Sequence, residues 1–179
     1  MKSGKIVLAG FGGQGILFAG KVLAYSGLKA EREVSWLPSY GPEMRGGTAN
    51  CHVVISDTPV GSPIIPNPDI LIAMNRPSLD KFENLVEKDG YIVYDSSLID
   101  RNAERSDVHV FPIPATQLAL EAGLESLANM VIVGKVLKET ELYTLEEIQK
   151  GLKKSVPASK AALLEKNIQA IELGYHYEG

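Results

Sequence analysis

The sequence has little cysteine and no long apolar run. One cysteine in 179 residues excludes a disulfide framework, a cysteine-rich zinc site and an iron–sulfur cluster held by this chain alone. The first apolar run begins at Ile6 and is ended by Gly10, well short of the roughly 20 residues that span a bilayer. We therefore expect a cytoplasmic protein, in a reducing compartment, that makes no membrane contact.

An excess of positive charge is also missing. Lys plus Arg number 18 and Asp plus Glu 22, which gives a net charge of -4. Such a chain has no general attraction for nucleic acid or for an anionic membrane, so any anion that it binds must be held by local groups. A chain of this length, with 45% hydrophobic residues, is long enough for one buried core. We predict that residues 1–179 form one domain.

Short apolar runs alternate with segments of helical periodicity along the chain. The sequence predicts strands over residues 6–9, 33–37, 48–56, 69–73, 91–94 and 108–111, and helices over residues 14–28, 78–87, 116–122, 127–138, 145–154 and 158–173. The second strand is expected to stop at Pro38, and Ser78 is expected to cap its helix. The alternation indicates an α/β fold with three layers: a Rossmann-like single domain with a mostly parallel sheet, helices on both faces and a helical C-terminal part.

A glycine-rich turn lies between the first strand and the first helix. Gly10-Phe11-Gly12-Gly13-Gln14-Gly15 fits the G-x-G-x-x-G pattern in the strand-to-helix context that this motif requires. The unpaired N–H groups of a first helical turn, together with the helix dipole, attract a phosphate. The plainer alternative is a tight turn whose glycines serve only positive φ angles and close packing.

Two common nucleotide sites are disfavoured. A dinucleotide site needs an acidic residue at the end of the second strand to hold a ribose, but this strand ends in Trp36-Leu37-Pro38-Ser39 and its acidic residues lie at its beginning. NAD is therefore not expected. The stretch from Gly15 to Lys21 matches G-x-x-x-x-G-K, but Val22 follows where a metal-binding Ser or Thr is needed.

No nucleophile, metal site or redox centre is predicted in this chain. Cys51 and His52 are neighbours in a strand, so their side chains point to opposite faces and form no nucleophile and base pair. Arg45 lies in the loop that leaves the second strand. In a parallel sheet this loop and the glycine turn share the carboxyl edge, where such folds bind ligands. Arg45 either pairs with a phosphate there or ties down its own loop.

Several stretches together resemble the gamma subunit of 2-oxoacid:ferredoxin oxidoreductases. They are Gly12-Gly13-Gln14-Gly15, Ala19-Gly20-Lys21, the run from Pro38 to Thr48, Asp95-Ser96-Ser97, and Asn129-Met130-Val131 running to Gly134. The Tyr-Gly-Pro-Glu-Met-Arg-Gly-Gly-Thr part is similar above all to the 2-oxoglutarate (KorC-type) branch. The beta subunits of indolepyruvate oxidoreductases share the Gly-Gly-Gln-Gly turn and are the alternative.

The resemblance implies a division of labour between subunits. Alpha, beta and delta (ferredoxin-like) subunits would carry the thiamine diphosphate and the iron–sulfur clusters, and would pass electrons to ferredoxin. This chain would bind coenzyme A, support assembly and supply no catalytic residue. A scaffold subunit that binds only its partners is a second alternative.

By matching position, the resemblance implies coenzyme A contacts at a set of nine residues. They are Gly12, Gly13, Gln14, Gly15, Lys21, Arg45, Gly46, Gly47 and Asn129. Asn129 alternatively caps its own helix, and Lys21 alternatively lies on a solvated helix face.

Overall fold

The computed structural model describes residues 1, 3–39 and 48–179. The described strands are β1 (Gly4–Phe11), β2 (Glu33–Ser39), β3 (Thr48–Ser56), β4 (Ile70–Ala73), β5 (Tyr91–Asp95) and β6 (His109–Ile113). The described helices are α1 (Ile16–Lys29), α2 (Arg76–Phe82), α3 (Ala115–Glu121), α4 (Ala128–Thr140), α5 (Leu145–Ser155) and α6 (Ala161–Tyr175). Short 3-10 turns at Glu83–Leu85 and Ala158–Lys160 follow α2 and precede α6.

The strands form one sheet in the order β2-β3-β1-β4-β5-β6. Strands β1, β4, β5 and β6 pair in parallel, whereas β3 is antiparallel to both β1 and β2. The prediction of a mostly parallel sheet is therefore confirmed, with β3 as the exception that the alternation of elements did not indicate. Residues 40–47, between β2 and β3, are fewer than the dozen or so that a parallel crossover requires, so the two strands pair directly and antiparallel.

Both edge strands continue through a proline. We expected the second strand to stop at Pro38 and the last to end at residue 111, but β2 includes Pro38 and β6 includes Pro112. Proline removes one ladder donor, which an edge strand tolerates because one of its sides has no partner strand. The strands are longer than predicted for this reason.

Alternate side chains of the sheet enter two separate cores. Ile6 and Leu8 of β1 pack with α1 and α3 to α6 on one face, while Val7 and Ala9 pack with α2 on the other. The prediction of three layers with a helical C-terminal part is confirmed. The second face is the thinner one, since α2 is the helix that contributes to its core.

Helix α2 begins earlier than the sequence indicated. We expected Ser78 to cap a helix over residues 78–87, but the cap is Asn75, whose Oδ1 accepts a hydrogen bond from Ser78 N at 2.9 Å. Pro77 lies in the first turn, where its missing N–H costs nothing. The regular helix ends at Phe82 and is followed by a 3-10 turn.

Helices α4 and α6 cross with their backbones in close contact. A Cβ at Gly134 of α4 would overlap the carbonyl oxygen of Ile171, and a Cβ at Gly174 of α6 would overlap the carbonyl oxygen of Val131. The two glycines therefore set the distance between the helices. Within the described part of the chain, each helix is too short or too polar to cross a bilayer.

Candidate functional site at the carboxyl edge of the sheet

The carboxyl edge of the sheet brings the predicted site segments together. Phe11 at the end of β1 pairs with Thr48 at the start of β3, and Ser39 at the end of β2 pairs with Asn50. Because β2 and β1 are each antiparallel to β3, both end at this edge. The glycine turn therefore lies at the same edge of the sheet as Ser39 and Thr48, which flank residues 40–47, as predicted. Arg45, Gly46 and Gly47 lie outside the described residues.

Two glycines of the turn adopt positive φ angles. Gly15, the N-cap of α1, has φ 73°, and a Cβ there would overlap the side-chain amide of Asn129. Gly13 has φ 91°, but a Cβ there would meet no atom of the described residues within 4 Å. Gly15 is thus needed for packing, whereas no described residue fills the space beside Gly13, where a ligand could approach the backbone.

The side chain of Gln14 is engaged within the protein. Its Oε1 accepts a hydrogen bond from Phe11 N at 2.6 Å, and its Nε2 donates to the carbonyl oxygen of Met74 at 3.0 Å. The amide therefore links the turn to the ends of β1 and β4. Gln14, which the resemblance placed among the contact residues, holds the shape of the turn.

Asn129 is also bonded to the turn. It is 4% exposed, its Nδ2 donates to the carbonyl oxygen of Gly15 at 3.1 Å, and its Oδ1 accepts from Met130 N at 2.9 Å. The N-cap of α4 is Leu127, so Asn129 is not the cap of its helix. It connects the start of α4 to the start of α1.

The first turn of α1 is suited to an anion. Among the described residues no side chain caps this turn, and it contains no acidic residue. The N–H groups of an uncapped first turn and the positive end of the helix dipole both favour a negative group.

Lys21 lies apart from the turn. Its Nζ is 5.6 Å from the ring centroid of Tyr25, and it lines a groove with Leu28 and Trp36. None of the four turn glycines or Gln14 lines this groove. Gly20 and Lys21 lie inside α1, so the second glycine motif is helical, as predicted.

Two cavities flank the glycine turn. The α3–α4 cavity has a volume of 360 Å³ and is lined by Gly13, Gln14, Met74, Leu98, Thr116, Ala119, Leu120, Glu125, Ser126 and Ala128. The α1 cavity has a volume of 290 Å³ and is lined by Phe11, Gly12, Gly13, Gly15, Ile16, Leu17, Phe18 and Ala49. Gly13 lines both cavities, so they adjoin at the turn.

Cys51 and His52 face opposite sides of β3, as predicted. Cys51 is fully buried among the residues packed against α1, and burial raises the pKa of its thiol to about 12. His52 accepts a hydrogen bond at Nδ1 from Ile65 N at 3.0 Å, and burial lowers its pKa. The two side chains form no nucleophile and base pair.

A buried carboxylate, that of Asp95, lies beside the α3–α4 cavity, and the sequence analysis predicted no role for it. Asp95, at the end of β5, is fully buried. Its Oδ2 accepts hydrogen bonds from the N and Oγ1 of Thr116, and its Oδ1 accepts from Ser97 N. Asp95 therefore fixes the start of α3 over the sheet. The signal was an aspartate followed by two serines directly after a buried strand.

The sequence profile of the Pyruvate ferredoxin/flavodoxin oxidoreductase family matches residues 5–177. The chain belongs to this family. The ketoisovalerate oxidoreductase subunit VorA of Methanothermobacter thermautotrophicus is 38% identical over 170 residues, which cover 95% of this chain and 35% of VorA. The chain thus spans about a third of the length of this relative.

A second relative has a similar length to this chain. The 2-oxoglutarate synthase subunit KorC of Methanocaldococcus jannaschii is 36% identical over 174 residues, which cover 96% of this chain and 91% of KorC. Relatives named for ketoisovalerate and for 2-oxoglutarate therefore occur at nearly the same identity, so the identity does not select one 2-oxoacid.

Two solved structures share the fold over nearly the whole chain. The gamma subunit of a keto/oxoacid ferredoxin oxidoreductase from Geobacter sulfurreducens has a TM-score of 0.81 and 26% identity, and the match covers 96% of this chain and 95% of that one. The second structure is the 2-oxoglutarate:ferredoxin oxidoreductase of Magnetococcus marinus with 2-oxoglutarate, coenzyme A and succinyl-CoA bound. It has a TM-score of 0.85 and 23% identity, and the match covers 99% of this chain and 32% of that one. The resemblance to gamma subunits is confirmed.

Proposed function

We propose that this chain is the gamma component of a heteromeric 2-oxoacid:ferredoxin oxidoreductase and that it binds coenzyme A at the glycine turn. Such an enzyme converts a 2-oxoacid, for example 2-oxoglutarate, to an acyl-CoA, CO2 and reduced ferredoxin. The observation that carries the proposal is the backbone at Gly13, which no described residue covers, next to a start of α1 that no described side chain caps. The coenzyme A bound to the Magnetococcus enzyme, of which 32% matches the fold of this chain, supports this ligand.

The phosphates of coenzyme A suit the groups that the turn offers. A diphosphate needs N–H donors and a positive potential, and a first helical turn preceded by glycines supplies both. The α1 cavity lies against this turn, and its lining residues carry no formal charge in the described part of the chain. A cation to complete the site is expected from Arg45, as the sequence predicted.

The redox chemistry belongs, in this proposal, to partner chains. Alpha, beta and delta subunits would hold the thiamine diphosphate and the iron–sulfur clusters, while this chain would bring the acyl acceptor. The longer VorA relative, in which a segment similar to this chain makes up 35% of the length, supports a domain that works beside others. The isolated chain is then expected to be inactive.

Replacing Arg45 tests the proposal in the assembled enzyme. Arg45→Ala is expected to raise the KM for coenzyme A by about ten- to a hundredfold, because a charge-assisted phosphate contact contributes roughly 1.5–3 kcal/mol. Decarboxylation measured without coenzyme A should persist. Lys154→Ala removes one exposed positive charge at the end of α5 and serves as the control.

The scaffold alternative predicts a different result from the same variant. Arg45→Ala would then reduce co-purification of this chain with the other subunits and leave the KM for coenzyme A as it is in the wild type. That outcome contradicts coenzyme A binding by Arg45, provided that the Lys154→Ala control gives a complex of normal composition.

A further inference from the structure

We propose that the α3–α4 cavity holds the neutral pantetheine arm of coenzyme A, while the phosphates occupy the turn and the α1 cavity. This inference rests on the proposed function and adds the direction in which the ligand lies. It gives a binding role to residues that the family resemblance did not include, chiefly Leu98 and Leu120.

The α3–α4 cavity has an apolar mouth that water reaches. Leu98, after β5, is 47% exposed and Leu120, on α3, is 59% exposed, and both line this cavity. Met74 and Ala119 lie in the same lining and are buried. A ligand that covers exposed leucines at the mouth of a cavity is stabilised by about 25 cal/mol per Å² of apolar surface removed from water. The 360 Å³ volume lies within the usual range of small-molecule sites.

The charge of the cavity disfavours the phosphate end of the ligand. Glu125 carries the formal charge of the lining, and no cation is present among the described lining residues. Glu125 is exposed, so its carboxylate repels a phosphate in the cavity less strongly than a buried charge would. Two of the polar side chains are already engaged, because Gln14 bonds to Phe11 N and Met74 O, and Thr116 donates to Asp95. A neutral arm with apolar segments and amides fits this lining.

The two cavities adjoin at a residue without a side chain. Gly13 lines both, and a Cβ there would meet no atom within 4 Å among residues 1, 3–39 and 48–179. An extended ligand can therefore cross the turn at Gly13, with its anionic part beside the start of α1 and its neutral part between α3 and α4.

The test measures inhibition of the assembled enzyme by the two halves of coenzyme A. S-methyl pantetheine represents the arm and cannot accept an acyl group, and adenosine 3′,5′-bisphosphate represents the nucleotide end. For Leu120→Ser, the inhibition constant of S-methyl pantetheine is expected to rise about fivefold or more, since roughly 1 kcal/mol of apolar contact is lost. The constant for the bisphosphate should stay at the wild-type value. Leu120→Met should restore inhibition by the arm.

A matched variant separates this effect from a loss of stability. Leu163 on α6 is 39% exposed and lies outside the lining of both cavities, so Leu163→Ser should leave both inhibition constants unchanged. The inference is overturned if Leu120→Ser leaves inhibition by S-methyl pantetheine unchanged while the bisphosphate still competes with coenzyme A. That result would not contradict the proposed function. If neither half competes with coenzyme A in the wild-type enzyme, the proposed function fails and this inference fails with it.

Discussion

Gln14 and Asn129 show how single side chains hold the turn in place. Both were selected from the sequence, but as ligand contacts, and the structure gives them bonds within the protein. Gln14 bonds to Met74, which lies 60 residues away in the sequence, and Asn129 bonds to Gly15, which lies 114 residues away. Such distant pairs cannot be read from local sequence patterns. Their contact with a ligand stays a prediction, whereas their bonds within the protein could not be predicted from the sequence.

Removing the Gln14 side chain should destabilise the protein. Gln14→Ala leaves Phe11 N and the Met74 carbonyl without their partner, which we expect to lower the free energy of unfolding by about 1–3 kcal/mol. Gln117 on α3 bonds to Glu121 on the surface, so Gln117→Ala should cost less than about 0.5 kcal/mol. Urea unfolding of the full chain measures both values. Equal losses in the two variants would show that the Gln14 bonds do not hold the turn.

At the scale of elements, the sequence predicted the existence of strands and helices better than their limits. Thr48–Ser56 was placed correctly from its alternating side chains. The edge strands were predicted too short because a proline in a sequence does not reveal whether its strand lies at an edge. The direction of β3 depends on the length of the segment before it. The alternation of strands and helices alone carries no information about that length.

The crossing of α4 and α6 depends on two glycines that face each other's helix. Gly174→Ala should lower the free energy of unfolding by about 3 kcal/mol or more, because the added methyl group overlaps the backbone of Val131 and the helices must separate. In the described part of the chain a Cβ at Gly61 meets no atom within 4 Å, so Gly61→Ala should change stability by less than about 0.5 kcal/mol. Thermal unfolding of both variants tests this. A Gly174→Ala protein as stable as the wild type would mean that the backbones are not in close contact.

At the scale of the whole molecule, the sheet brings the segments of the candidate site to one edge. The parallel direction of β1, β2 and β4 brings the glycine turn, Ser39 and Met74 to that edge. This arrangement followed from the predicted fold class, which is why the meeting of these segments at one edge was predictable. The two cavities were not, since they depend on how α3 and α4 lie against the turn.

The most direct test of the account is the dissociation constant of coenzyme A for the assembled complex, measured by calorimetry without a 2-oxoacid. Gly13→Ala adds a methyl group to the shared edge of the two cavities. Gly123→Ala adds one at another glycine of positive φ, at 69°, where a Cβ likewise meets no described atom within 4 Å, so both variants carry a backbone cost, of about 1 kcal/mol or more. We predict a dissociation constant at least tenfold higher for Gly13→Ala and unchanged for Gly123→Ala. Equal dissociation constants in the wild type and both variants would contradict coenzyme A binding at the glycine turn.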